Sequence, residues 1–192
     1  VLPFDTPLDE IMSHNPSGII LSGGPSSVNV ENAHLVDKEL FEKGIPVLGI
    51  CYGMQLTTHL LGGKVKKGEK GEYGKAKFEI QKSNTLLSGV SRFSTVWMSH
   101  FDEVETVPAG FNINGMTDVI SAISDESRNI YCVQFHPEVS HTEEGARMID
   151  NFVFNICKAP KNWKLTNYIE KTVAEIKEKV GDQKVILGLS GG

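Results

Sequence analysis

The stretch Pro46-Val47-Leu48-Gly49-Ile50-Cys51-Tyr52-Gly53-Met54-Gln55 constrains the fold of this chain more than any other. An apolar run leads into Gly-x-Cys-x-Gly, and apolar residues at helical spacing follow it. Small residues on both sides of a reactive one let the backbone turn sharply from strand to helix, the form of a nucleophile elbow. Such a turn sets the reactive side chain at the end of a sheet, beside the N-terminus of the next helix. There the unpaired N–H groups and the positive end of the helix dipole favour thiolate over thiol, which is the state expected of Cys51. A lone cysteine closing a core strand is more often packing. Two flanking glycines and a strand-to-helix switch turn the reading toward a nucleophile.

A second apolar run, Ile130-Tyr131-Cys132-Val133-Gln134-Phe135, ends in His136-Pro137-Glu138. A nucleophilic cysteine needs a base within hydrogen-bond reach, and the base needs an acceptor on its other ring nitrogen. Pro137 stiffens the link that would present Glu138 to the imidazole. Cys51, His136 and Glu138 thus each close a predicted strand, the end at which α/β folds gather their sites.

Helical and strand-like segments alternate on either side of a β-rich middle. Ile19 to Leu21 reads as a buried strand before a glycine loop, Ala33 to Lys43 as a helix with Leu35, Val36 and Leu40 inward, and Val47 to Ile50 as the elbow strand. Tyr52 to Leu61 is the helix behind the elbow. Residues 75 to 123 carry short β-like segments, and Lys64 to Lys70 reads as a solvated loop. Ile130 to Phe135 is a strand, Gly145 to Ile156 a helix, Leu165 to Lys179 an amphipathic helix and Val185 to Leu187 a strand. This order predicts an α/β fold: an open, mostly parallel sheet flanked by helices, with a small antiparallel extension.

Composition narrows the function. A net charge of −5 with scattered basic residues leaves no electrostatic footprint for nucleic acid. No apolar run approaches the roughly 20 residues that span a bilayer. The three cysteines, at 51, 132 and 157, have no metal-ligand spacing and form no even disulfide framework, so a reducing, cytoplasmic setting is expected.

Several motifs carry a resemblance. Gly-Ile-Cys-Tyr-Gly-Met-Gln at 49 to 55, Ser-Gly-Gly-Pro-Ser-Ser-Val at 22 to 28 and Gln-Phe-His-Pro-Glu-Val-Ser-His-Thr at 134 to 142 resemble the class I (triad) glutamine amidotransferases. Glu72-Tyr73-Gly74, Trp97-Met98-Ser99-His100 and His-Thr-Glu-Glu-Gly at 141 to 145 are most similar to the GMP-forming branch of that superfamily. Leu187-Gly188-Leu189-Ser190-Gly191-Gly192 looks like the opening of a pyrophosphatase loop.

The resemblance implies a flavodoxin-like fold and hydrolysis of L-glutamine by Cys51, His136 and Glu138. It assigns the oxyanion hole to Gly24 and Tyr52 and glutamine contacts to Gly23, Gln55, Ser99, His100 and Asp102. It implies no cofactor for the glutaminase step. Mg-ATP and xanthosine monophosphate (XMP) would belong to a synthetase domain, for which Ser190, Gly191 and Gly192 are an incomplete ATP site. The expected partition is an amidotransferase domain at 1–158 lacking its N-terminal strand and helix, a linker at 159–164, and the start of the synthetase domain at 165–192. A homodimer is expected of the intact enzyme.

Three departures stand out. Gly71 replaces the family's usual basic residue before Glu-Tyr-Gly, Phe101 stands where glycine usually follows Ser-His, and Val1 falls inside what would be the family's second strand. Two other readings remain. One is a different Cys-His-Glu γ-glutamyl hydrolase on the same fold; the other is a non-catalytic module, which the intact set of three residues opposes.

Overall fold

A computed structural model describes residues 1–162 and 165–186. Contacts divide the chain into two units, Val1–Ala159 and Pro160–Gly192. The first unit is built on a seven-stranded sheet in the order β1-β2-β7-β6-β5-β3-β4. In chain order these strands are β1 (Ile19–Leu21), β2 (Val47–Ile50), β3 (Lys64–Ile80), β4 (Phe93–Thr106), β5 (Asn112–Met116), β6 (Ile120–Asp125) and β7 (Ile130–Val133). Its helices are α1 (Leu8–Ser13), α2 (Tyr52–Leu60) and α3 (Gly145–Asp150), the last running on as a π-helical turn, Asn151–Ile156.

β2 lies between β1 and β7, parallel to both. Every residue of β2 and β7 is buried, which explains why both read as unbroken apolar runs rather than alternating ones. Successive side chains still point to opposite faces. Val47, Ile130 and Cys132 pack with Leu40, Phe41 and Met54 on the α2 side. Leu48, Ile50, Tyr131 and Val133 pack with Met148 and Phe152 on the α3 side. The α/β class with helices on both faces is therefore as expected.

The antiparallel part is larger than expected. β6 pairs antiparallel with β7, β5 with β6, and β3 with both β5 and β4, so four of the seven strands lie outside the parallel ladder. Lys64 to Lys70, expected as a solvated loop, is the first part of β3 and pairs with β4 from Lys64↔Thr106 to Lys67↔Asp102. Its charges mislead because one face of an antiparallel ribbon can be wet. The ion pair of Lys66 with Glu103 at 3.1 Å lies across this ribbon.

The helix expected over 33 to 43 is absent. A short 3-10 turn, Lys38–Glu42, stands there, capped by the Asp37 carboxylate, which accepts from the Glu39 N–H at 2.9 Å. Leu40 and Phe41 fill the core, whereas Leu35 is exposed. One turn suffices to bury two side chains, and tertiary contact with α2, not periodicity, decides the segment. α1 has no buried residue, but Leu8 and Ile11, one turn apart, pack half-buried against the core.

The second unit contains α4 (Leu165–Val180). It carries Ile169, Val173 and Ile176 on an exposed apolar stripe. Val185 and Ile186 are exposed and non-helical, so the described part of the strand expected at 185 to 187 is not strand. Leu187 and the Ser190-Gly191-Gly192 turn lie outside the described residues. No helix among the described residues is long and apolar enough to cross a membrane.

Candidate active site

β2 ends at Ile50 and α2 begins at Tyr52, so a single residue makes the turn. Cys51 takes φ 52°, ψ −106°, a conformation that a non-glycine residue holds only when its surroundings over-determine it. Three features do so here. The Cys51 N–H donates to Val133 O at 2.8 Å. A Cβ on Gly49 would approach Gly53 O at 2.7 Å, and one on Gly53 would collide with the carbonyl of Leu21. The two glycines of Gly-x-Cys-x-Gly thus let helix, elbow strand and neighbouring strand close on one another.

Cys51 is only 4% exposed, and its thiol points to the Ser99 carbonyl at 3.6 Å. The helix N-terminus does not by itself make it a thiolate. Burial pushes the thiol up to about 11, the Glu138 carboxylate adds to the rise, and the hydrogen bond from the Tyr52 N–H only partly offsets them. The expected thiolate is corrected to a resting thiol, because desolvation of a nearly enclosed sulfur outweighs the terminal amides. A base must take its proton during reaction.

His136 lies just beyond β7. Its Nδ1 is 2.7 Å from Glu138 Oε1. An ionised carboxylate can only accept, so Nδ1 carries the proton and Nε2 is left as a base. The imidazole is fixed from behind by β4. The His136 N–H donates to Trp97 O at 3.0 Å, and the His136 carbonyl accepts from Thr142 Oγ1 at 2.6 Å. The same hydroxyl accepts from the Trp97 N–H at 3.1 Å, and the His141 ring packs on Trp97 at 4.4 Å. Glu143 binds Thr95 through both its N–H and its carboxylate. The His-Thr-Glu-Glu-Gly segment therefore clamps the His136 turn to the sheet, a role that nothing in its spacing announced.

Cys51 and His136 line one cleft of about 480 Å³, together with Gly24, Ser27, Ser99, His100 and Asp102. Gly23 stands between the two: a Cβ there would meet His136 Cε1 at 2.9 Å and Cys51 Cβ at 3.5 Å. Gly24 lies against the Tyr52 ring and lines the same cleft as Cys51. The expected glutamine contacts divide. The Ser99 carbonyl faces the sulfur, and the Asp102 carboxylate, hydrogen-bonded by the Ser27 hydroxyl, lines the cleft.

The other two expected contacts are engaged within the protein. His100 is buried, with Nδ1 at 3.0 Å from Asp102 O and Nε2 at 2.8 Å from Glu72 Oε2. Both ring nitrogens are occupied, so the ring braces the β4 edge of the cleft. Gln55 is 3% exposed and donates through Nε2 to Asp102 O at 2.7 Å and Gln134 Oε1 at 3.3 Å. Sequence spacing could not show these partners, which come from β4 and from the end of β7.

Two of the three family departures, Gly71 and Phe101, lie close together. A side chain at Gly71 would collide with the Tyr73 ring and approach Phe101 Cδ2 at 3.1 Å. Phe101 lines the cleft, with Lys67 Nζ 5.4 Å from its ring centroid. Among the described residues no cluster of three or more His, Cys, Asp or Glu side chains could hold a metal ion.

A cysteine at a strand-to-helix elbow, a histidine–glutamate pair across the same cleft and helices on both faces of a curled mixed sheet define an α/β protein of the thiol-amidotransferase type. Residues 1–156 match the glutamine amidotransferase class-I family, and the chain belongs to it. It is 50% identical over its whole length to "GMP synthase [glutamine-hydrolyzing]" of Clostridium botulinum, and 52% identical to the protein of that name from Fusobacterium nucleatum. It spans 38% of the length of each of these relatives. Its structure superposes on that of a candidate GMP synthase component from Thermoplasma acidophilum with a TM-score of 0.73 and 31% identity, covering 90% of this chain and 83% of the other.

Proposed function

We propose that this chain is the glutamine-hydrolysing part of a GMP synthase. The observation that carries the reading is that Cys51 and His136 line one cleft, with Glu138 Oε1 2.7 Å from the imidazole Nδ1. The similarity to GMP synthases over the entire chain supports the choice of branch.

In this reading L-glutamine binds with its side-chain amide over Cys51. His136 Nε2 takes the thiol proton as sulfur attacks the amide carbon, and Glu138 steadies the imidazolium that forms. The N–H groups of Gly24 and Tyr52 stabilise the oxyanion, a contribution on the order of 3 kcal/mol for a single donor in comparable sites. His136 then gives its proton to the leaving ammonia, which leaves a γ-glutamyl thioester on Cys51. Water activated by the same nitrogen releases glutamate. Ser99 and Asp102 contact the bound glutamine, Gly23 keeps room for it beside the imidazole, and Gln55 and His100 shape its cleft from behind.

No cofactor enters this half-reaction. The ammonia passes to a synthetase domain that begins at 165–192 after a linker at 159–164, with Ser190, Gly191 and Gly192 opening its ATP site. There Mg-ATP activates XMP for amination to GMP, in a homodimeric enzyme of the cytoplasm. The test uses the full-length protein carrying Cys51→Ala. Glutamine-dependent GMP synthesis falls at least about a thousandfold, as for loss of a nucleophile, while synthesis from added ammonia persists. Equal loss of both activities refutes the assignment.

A further inference from the structure

The loop between β1 and the 3-10 turn runs from 22 to 37 without regular structure, and it carries Gly24 into the cleft. Among the described residues, 23 to 26 make no backbone–backbone hydrogen bond, so the loop's own backbone does not set where Gly24 sits. Connecting segments are the mobile part of a fold unless something ties them down. The other oxyanion donor needs no such help. The first turn of α2 is fixed by the Cys51 N–H on Val133 O at 2.8 Å and by the Met54 N–H on Cys51 O at 3.0 Å.

One side chain spans the loop. Tyr52 is buried, and a Cβ on Gly24 would lie 3.8 Å from its Cγ and 3.9 Å from its Cβ and Cδ1. The base of the ring therefore rests against the glycine. At the far end of the ring, Tyr52 Oη donates to the His34 carbonyl at 2.9 Å. Between Gly24 and His34 in the chain, Val28 joins Tyr52 and Leu56 in a small cluster apart from the two larger cores, with Leu21 and Val36 packed against it. The loop thus has a core of its own, and Tyr52 is its largest member.

We propose that the Tyr52 side chain positions the oxyanion hole: ring and hydroxyl together hold the loop that presents the Gly24 N–H, while the backbone N–H of the same residue is the second donor. The inference rests on the glutaminase reading and on Gly24 as a donor. Such a donor works only when it stands about 2.7–3.1 Å from the atom on which charge develops, and a displacement of roughly 0.5 Å is enough to spoil it. A loosened loop still admits glutamine but stabilises the tetrahedral intermediate less, so the loss falls on kcat. A hydroxyl that served packing alone would leave the reaction at Cys51 indifferent to its removal.

The test compares Tyr52→Phe, which removes only the hydroxyl, with Tyr52→Met, which also removes the ring, both in the full-length protein. Glutamate release from glutamine is measured beside alkylation of Cys51 by iodoacetamide, a displacement at saturated carbon that builds no oxyanion. Ammonia-dependent synthesis reports that each variant is folded. We expect kcat to fall about tenfold for Tyr52→Phe and about a hundredfold for Tyr52→Met, approaching the roughly hundred- to thousandfold cost of losing a whole donor. KM and the alkylation rate should change little. Tyr52→Met carries the test alone if Tyr52→Phe does not fold, and failure of both to fold overturns the proposal in favour of a packing role. A wild-type kcat in either folded variant overturns it too. So does a parallel fall in kcat and alkylation, which places the damage at the elbow and not in the oxyanion hole. A wild-type protein that releases no glutamate overturns the glutaminase reading as well. Normal wild-type turnover with unaffected variants overturns only the role of Tyr52.

Discussion

Cys51, Cys132 and Cys157 are all free and all have raised thiol pKa values, near 11, 12 and 11, each chiefly because of burial. Acidity in the resting protein therefore does not single out Cys51. Access and a base do: only Cys51 lines the cleft with His136. A glutamine-mimicking diazo-ketone, whose binding sets the electrophile beside the sulfur, is accordingly expected to label Cys51 at least about a hundredfold faster than the other two, well within the effective molarities of oriented reactants. Peptide mapping of the labelled protein decides it, and comparable labelling of Cys132 or Cys157 would count against the site. At the same scale, Gly53→Ala drives a Cβ into the Leu21 carbonyl. Backbone cannot swing aside as a side chain can, so we expect a loss of about 1–3 kcal/mol in urea unfolding, with glutaminase activity falling as the elbow shifts. By contrast, a side chain at Gly71 meets the exposed Tyr73 ring, which can move.

At the scale of elements, the decisive feature is how the turn after β7 is joined to β4. Thr142 is nearly buried and bridges the His136 carbonyl to the Trp97 N–H. Thr142→Val keeps the shape and leaves two backbone groups unpaired. We expect about 2 kcal/mol of destabilisation and a fall in kcat for glutamine hydrolysis, measured by glutamate release, with Thr142→Ser largely restoring both. A second expectation concerns acid. Burial alone would raise Asp125, but hydrogen bonds from Ser127 and Arg128, with the Arg128 charge, outweigh it and hold the carboxyl below its ordinary 3.8. Hydrogen bonds from the Thr95 backbone and side chain likewise hold Glu143 below 4.5. A group whose folded pKa is depressed stabilises the fold above its unfolded value and loses that contribution as pH falls through the folded one. Thermal stability should thus decline on acidifying below about pH 4, and Asp125→Asn should flatten the decline. An unchanged slope in that variant would show that the Asp125 cap contributes nothing.

At the scale of the whole molecule, the parallel strands carry the elbow and the antiparallel ribbon carries the cleft wall. Ser99, His100, Phe101 and Asp102 all belong to β4, the outermost strand of the ribbon. At the opposite edge β1 pairs with β2 alone among the described strands, and Ile20 is half exposed. An open edge and the apolar stripe of α4 both invite pairing between copies. Residues 1–192 expressed alone are expected to self-associate, as size-exclusion chromatography at rising concentration would show. A monomer at all concentrations would mean that neither surface is adhesive.

What the chain's own letters determined follows from local chemistry. Gly-x-Cys-x-Gly after an apolar run dictates an elbow because only small flanking residues tolerate that backbone, and β2 and β7 were legible because doubly buried strands are continuously apolar. His136 and Glu138 lie two residues apart, so their pairing was local enough to anticipate. What the sequence did not show has one cause. The segments at 33 to 43 and 64 to 70, the internal partners of Gln55 and His100, and the clamp through Thr142 all depend on partners 28 to 79 residues distant in the chain or on packing against another element. The state of Cys51 was decided in the same way: the helix N-terminus that favours thiolate is local, whereas the burial that disfavours it is assembled from β1, β4 and the turn beyond β7, and burial outweighs the amides.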